Sequence, residues 1–148
     1  MKSTSVILTI IMAFITFQLS SATSQSLRIT IQNLKASEKG AIRIAIFCDE
    51  KGFKDEKEHR LVVCEKSEII DGKLKLEIPI KKGIYGISVL DDENNSGKME
   101  YKLIGIPKEG FGFSNYTLKL MKKPKFKDFN FQLCEKETKE ILVSMKYF

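Results

Sequence analysis

The chain has 148 residues, 43% of them hydrophobic, with 25 basic against 19 acidic groups and no tryptophan. That length holds one ordinary domain, and a net charge of +6 is too mild to mark a nucleic-acid binder. One histidine, His59, inside the charged run "KDEKEHR", and no Gly-x-Ser-x-Gly motif leave no nucleophile paired with a base.

The first stretch, "MKSTSVILTIIMAFITFQLSSATSQS", carries one lysine, an almost wholly apolar run from Val6 to Phe17, then small and polar residues. This is the pattern of a secretory signal peptide, because the run is shorter than the roughly 20 residues that a membrane span needs. Residues 1–24 are therefore expected to be removed, with a cut after Ala22 or Ser24, leaving 25–148 as a single domain with no membrane span. The expected location is secreted or periplasmic. Without Lys2 the net charge is +5. In an oxidising compartment Cys48, Cys64 and Cys134 allow at most one internal bridge and leave one thiol over; each also lies among apolar residues, where a cysteine serves as a small hydrophobe.

The elements that follow alternate with a period of two. "LRITIQNL" puts Leu27, Ile29 and Ile31 on one face and Arg28, Thr30 and Gln32 on the other, the signature of a half-buried strand. "AIRIAIFC", after the turn residue Gly40, is more apolar and suits a central strand. A polar connection leads to "RLVVCE", and "KLKLEIPI" alternates again until Pro79, which cannot donate to a ladder and marks an end or an edge. "IYGISVL" aligns Tyr85, Ile87 and Val89; "DFNFQL" aligns Phe129, Phe131 and Leu133; "EILVSMKYF" supplies a last strand. With no sustained helical period, the expected fold is all-β: an antiparallel two-sheet sandwich of about seven strands, immunoglobulin-like or transthyretin-like, with a small barrel as the alternative.

Residues 91–127 show little strand signal, and a connection that long draws attention as a functional loop. Within it, "DDENNSGKME" places oxygen-bearing groups at Asp92, Asn94, Ser96, the carbonyl of Lys98 and Glu100, with a glycine at the bend. Such spacing suits a calcium loop, since a hard cation takes about six to eight oxygens and alternate residues of a tight turn converge. The twelfth position of that loop is Leu103 and not an acid. The competing reading is a polar turn held by asparagine and glycine.

Downstream, "GIPKEGFGFSN" alternates glycine with phenylalanine, so Gly110 and Gly112 leave one side bare for close approach by another chain or ligand. Phe111, Phe113 and Tyr116 would then stack on a glycan or peptide with Asn115 as polar anchor, or else the phenylalanines plug the sandwich. The lysines at 119, 122, 123, 125 and 127 read as a solvated face and not as a nucleic-acid groove. Acid and base catalysis by the carboxylates of 91–100 is the remaining enzymatic alternative.

The order "G-x-I-R-I-A-I-F", "K-G-I-Y-G-I-S-V", "D-E-N-x-S-G-K-M-E", "G-I-P-K-E-G-F-G-F-S-N" and "P-K-F-K-D" resembles the exported bacterial family called domain of unknown function 2141, from about Leu27 to the end. The resemblance implies a secreted or periplasmic β-sandwich and no assigned activity. Members commonly carry histidine before Asp-Glu-Asn, an amide before the glycine, an aspartate three residues after it and an asparagine two residues beyond. Here those places hold Asp91, Ser96, Glu100 and Lys102. The function expected from these readings is a non-catalytic binding or accessory module of the cell envelope with a glycan or protein partner. A calcium-stabilised structural domain and a hydrolase are the alternatives.

Overall fold

A computed structural model describes residues 25–37, 39–118 and 122–148; the expected signal peptide and Lys119 lie outside them. Strand β1 (Ser26–Gln32) follows the alternation that its sequence announces: Leu27, Ile29 and Ile31 have no exposed surface, whereas Arg28 faces solvent. It is the middle strand of a three-stranded sheet, antiparallel to β4 (Leu74–Pro79) and parallel to β8 (Thr138–Ser144). Pro79 closes β4, which is an edge strand, so its missing N–H costs the ladder nothing.

The second sheet is built on β2 (Ala41–Phe47), with β3 (Arg60–Glu65) on one side and β5 (Gly83–Asp92) on the other, all antiparallel. With ten residues β5 is long enough to carry two short partners on its far edge: β7 (Asn130–Leu133) along Gly83–Gly86 and β6 (Gly110–Phe113) along Ser88–Asp91. Side chains from both sheets meet in one core, among them Ile29, Ile31, Ile42, Ile44, Ile87, Val89, Ile141 and Val143.

A second apolar cluster lies on the opposite face of the larger sheet. Helices α1 (Glu50–Lys54) and α2 (Phe126–Phe129) bring Phe53, Phe126 and Phe129 onto Phe47 of β2 and Phe113 of β6. The rings meet edge to face, Phe53 and Phe129 with centroids 4.9 Å apart, an arrangement that the ring quadrupoles favour. Gly86 of β5 makes room for them, since a Cβ there would sit 2.6 Å from the Phe129 ring. Asp49 caps α1 by accepting from the Gly52 N–H, and Glu50 accepts from the Phe126 N–H, tying the two short helices together.

Two expectations change. Among the described residues there are eight strands in place of seven, because the four-residue β6 sits inside the supposed loop 91–127, where its two glycines mask any strand propensity. The sheets are not wholly antiparallel, because β1 and β8 run side by side in the same direction. All three cysteines are free thiols; Cys64 is buried in the core, whereas Cys48 and Cys134 are exposed. Among the described residues no helix is long and apolar enough to cross a membrane.

Candidate functional site

Strand β5 ends in two acids, and the period of two sends them to opposite faces. Neither carboxylate has any exposed surface. Asp91 turns to the core side, where the Lys66 ammonium lies 2.5 Å from Oδ1 and the Tyr147 hydroxyl donates to Oδ2 at 2.7 Å. Burial, reinforced by the neighbouring Asp91 carboxylate, pushes the Tyr147 phenol well above its ordinary range, so it stays neutral, donating to Asp91 while accepting from the Lys35 N–H.

Asp92 turns to the outer face and organises the loop after it. Burial by itself would raise its carboxyl, but the Arg43 guanidinium and the N–H groups of Gly97 and Ser96 outweigh that and hold it below 3.8. The two N–H bonds are each 2.9 Å long, and Arg43 pairs with the same carboxylate from β2. Asn94 Oδ1 accepts from Ser96 N at 2.9 Å, Ser96 Oγ donates to the Lys98 carbonyl at 3.0 Å, and Glu100 pairs with Lys108 at 3.3 Å. Asn95 and Gly97 have positive φ, as the bend requires. Every side chain in the expected calcium set thus bonds or pairs with a protein group, and Arg43 supplies the positive charge at Asp92. Among the described residues no three histidine, cysteine or acidic side chains form a metal-holding group.

Glu109, just before β6, is also buried, and accepts from the Glu93 N–H. Burial chiefly, and then the Asp92 charge, raise its carboxyl above 4.5. The folded protein therefore keeps this proton to a higher pH than the unfolded chain does. The contribution is complete below 4.5 and is lost as pH rises through the folded value. Glu109→Gln is expected to remove that loss, so the stability difference between variant and wild type should move in the variant's favour as pH rises from 4 toward 7. Urea unfolding across that range checks it, and parallel curves would disprove it.

Between the loop and the sheet lies a groove of about 270 Å³. Its floor is the outer face of β2, β5 and β6, with Arg43, Ala45, Leu90 and Phe111. Lys98, Met99, Tyr101 and Pro107 border it from the loop side, and Glu56, Glu58, Leu61 and Lys123 complete the rim. Apolar floor and charged rim together suit a ligand with one flat or aliphatic face and polar edges.

The four aromatic and amide residues singled out above separate here. Phe111 is half-buried and lines the groove, and Phe113 also borders it but has only 5% exposure and belongs to the phenylalanine cluster. Tyr116 packs edge-on against Phe113 away from the groove lining. Asn115 has φ +50 and bonds β8 through both its side chain and its backbone, accepting from Leu142 N at 3.0 Å and donating to Leu142 O at 2.7 Å. The bare side of Gly110 and Gly112 is filled by the chain's own C-terminal segment: a Cβ on Gly110 would lie 2.1 Å from the Tyr147 ring. Arg43, Leu61, Met99, Tyr101 and Lys123 were not foreseen as groove residues. Only the outward position of Arg43 in an otherwise apolar strand gave a signal.

The family model described as an uncharacterized protein conserved in bacteria (DUF2141) matches residues 29–141. No curated protein and no solved structure matches the chain.

Proposed function

Given that the chain belongs to the DUF2141 family of uncharacterised bacterial proteins, we propose that it is an exported, non-catalytic binding module of the cell envelope. Its two sheets are read as a sandwich of the immunoglobulin or transthyretin-like kind, delivered by the N-terminal signal peptide to the periplasm or beyond. The observation that carries this reading is the groove, where half-buried Phe111 lies in the floor with Ala45, Leu90 and Arg43, exposed Tyr101 borders it, and Lys98 and Lys123 stand on its edge. Aromatic faces beside fixed charges suit a glycan or an extended protein segment. Such ligands present apolar faces and polar edges together.

Screening the protein against glycan and peptide arrays is expected to give saturable binding without turnover. Phe111→Ala and Tyr101→Ala should each weaken it about tenfold or more, the range for a central anchor residue. Equal binding by both variants would empty the groove of its role. Product formation that Asp92→Asn abolishes would replace the binding module with a hydrolase.

Calcium is expected to leave the melting temperature where EGTA leaves it. Arg43 and two backbone N–H groups already engage both oxygens of Asp92, so a cation would have to displace them at the cost of a buried pair. A true site would add roughly 2.7 kcal/mol at a hundred times Kd. A calcium-specific rise of several degrees, absent with magnesium and lost in Asp92→Ala, would establish a calcium-stabilised domain instead.

A further inference from the structure

The segment from Glu100 to Lys108 is a small hairpin that projects two aliphatic side chains into solvent. Lys108 N donates to Glu100 O at 2.9 Å, Lys102 N to Ile106 O at 2.7 Å and Gly105 N to Lys102 O at 2.9 Å, so the backbone on both flanks of the apex is satisfied within the hairpin. Gly105 takes φ +76 with no neighbour near it. At the apex Leu103 is fully exposed and Ile104 80% exposed, and Tyr101 follows at 56%. Soluble surfaces seldom place two adjacent aliphatic residues so far out without an occupant.

Tyr101 and the exposed lysines 98, 102 and 108 surround that apex, with Lys108 shared with Glu100. An aliphatic tip with an aromatic ring and cations beside it suits the acyl boundary, with long lysine side chains reaching back to the phosphate level of a bilayer. With its flanks paired, the hairpin leaves only the backbone of the turn itself to the hydrated headgroup region, while the two aliphatic side chains reach past it. Protein interfaces are less well suited: a stable one covers roughly 1,600 Å² in total, far more than two side chains on a convex tip offer. The net charge of +5 that remains without Lys2 adds attraction to an anionic surface.

We propose that the Glu100–Lys108 hairpin docks the protein on an anionic phospholipid surface, Leu103 and Ile104 entering the acyl boundary while Lys98, Lys102 and Lys108 meet the headgroup phosphates. This contact shares Lys98 and Tyr101 with the border of the groove, whereas Leu103 and Ile104 lie outside its lining, and it holds the groove close to the membrane. The chain contains no tryptophan, so Ile104→Trp is a unique reporter at the apex.

The full chain is expressed, and intact mass confirms that wild type and variants share one N-terminus. Flotation with vesicles of phosphatidylcholine and phosphatidylglycerol should then recover the wild type, and vesicles of phosphatidylcholine alone should recover much less. Leu103→Asp combined with Ile104→Asp is expected to lower recovery at least about tenfold, and Lys102→Gln with Lys108→Gln roughly tenfold at low salt. Ile104→Trp emission should move to shorter wavelength on anionic vesicles only. Unchanged flotation of the double aspartate variant, or unmoved tryptophan emission, would overturn the proposal. A concentration-dependent dimer that the same variant disperses, with no vesicle binding, would assign the apex to a second copy of the chain and overturn it equally.

Discussion

Lys66→Met is expected to destabilise the fold by about 3 to 5 kcal/mol, the range for removing one member of a buried ion pair. The Lys66 side chain is 2% exposed and Asp91 not at all, with 2.5 Å between Nζ and Oδ1. Without the ammonium, the carboxylate keeps the Tyr147 hydroxyl as its donor but loses its only countercharge among the described residues. Against a total stability of about 5 to 15 kcal/mol, that loss takes the protein toward its unfolding threshold at ambient temperature. Replacing both members, Lys66→Met with Asp91→Leu, should recover most of it, because a well-packed apolar pair in place of a buried ionic one is often neutral or better. Adding Tyr147→Phe removes the hydroxyl that the second change would leave without its acceptor. Urea unfolding of the single, double and triple variants tests this directly. If the double variant loses the sum of two separate penalties, the pair is not a coupled unit and the account of Asp91 fails.

How much of this was legible depended on how far apart the interacting residues stand. β1, β2 and β5 were readable because the side-chain period of two is local: Leu27, Ile29 and Ile31 declare a buried face without reference to any partner. The direction of β8 beside β1 was not, since alternation is the same in a parallel or an antiparallel ladder and the two strands lie at opposite ends of the chain. The helices α1 and α2 span five and four residues, too few for a helical period to appear, so the phenylalanine cluster that they complete had no pattern to announce it. In the acidic stretch the turn chemistry of Asn94, Asn95 and Gly97 was local and visible. The partner that decides what Asp92 does was not. Arg43 reaches it only because β2 and β5 pair with Ala41 opposite Asp92 and Arg43 two places along. The groove follows the same rule, as Leu61, Tyr101 and Phe111 are brought together by sheet register and a hairpin, not by spacing in the chain.

Strand β6 puts the division between architecture and site to a sharp test, because its adjacent residues serve different ends. Phe113→Ala is expected to cost about 3 to 5 kcal/mol, as for truncating a buried aromatic: Phe113 is 5% exposed and contacts Phe53, Phe129 and Tyr116. Gly112→Val should cost at least about 1 to 3 kcal/mol by overpacking. A Cβ at 112 would stand 2.7 Å from Val143 Cγ1 and 2.8 Å from the Ser144 carbonyl oxygen, and neither can step aside, since Val143 is fully buried and Ser144 is held in register with Gln32 of β1. The C-terminal segment would have to move away, stretching the paired bonds between Phe111 and Lys146, now 3.0 and 2.8 Å. Phe111→Ala, half-buried at the groove, should unfold much closer to wild type while weakening ligand capture. Chemical denaturation of the three variants, paired with the array assay on each that folds, separates the cases. Wild-type stability in Phe113→Ala together with lost binding would move Phe113 from the core into the site, and a neutral Gly112→Val would mean that the C-terminal crossing is not what the glycines are there to admit.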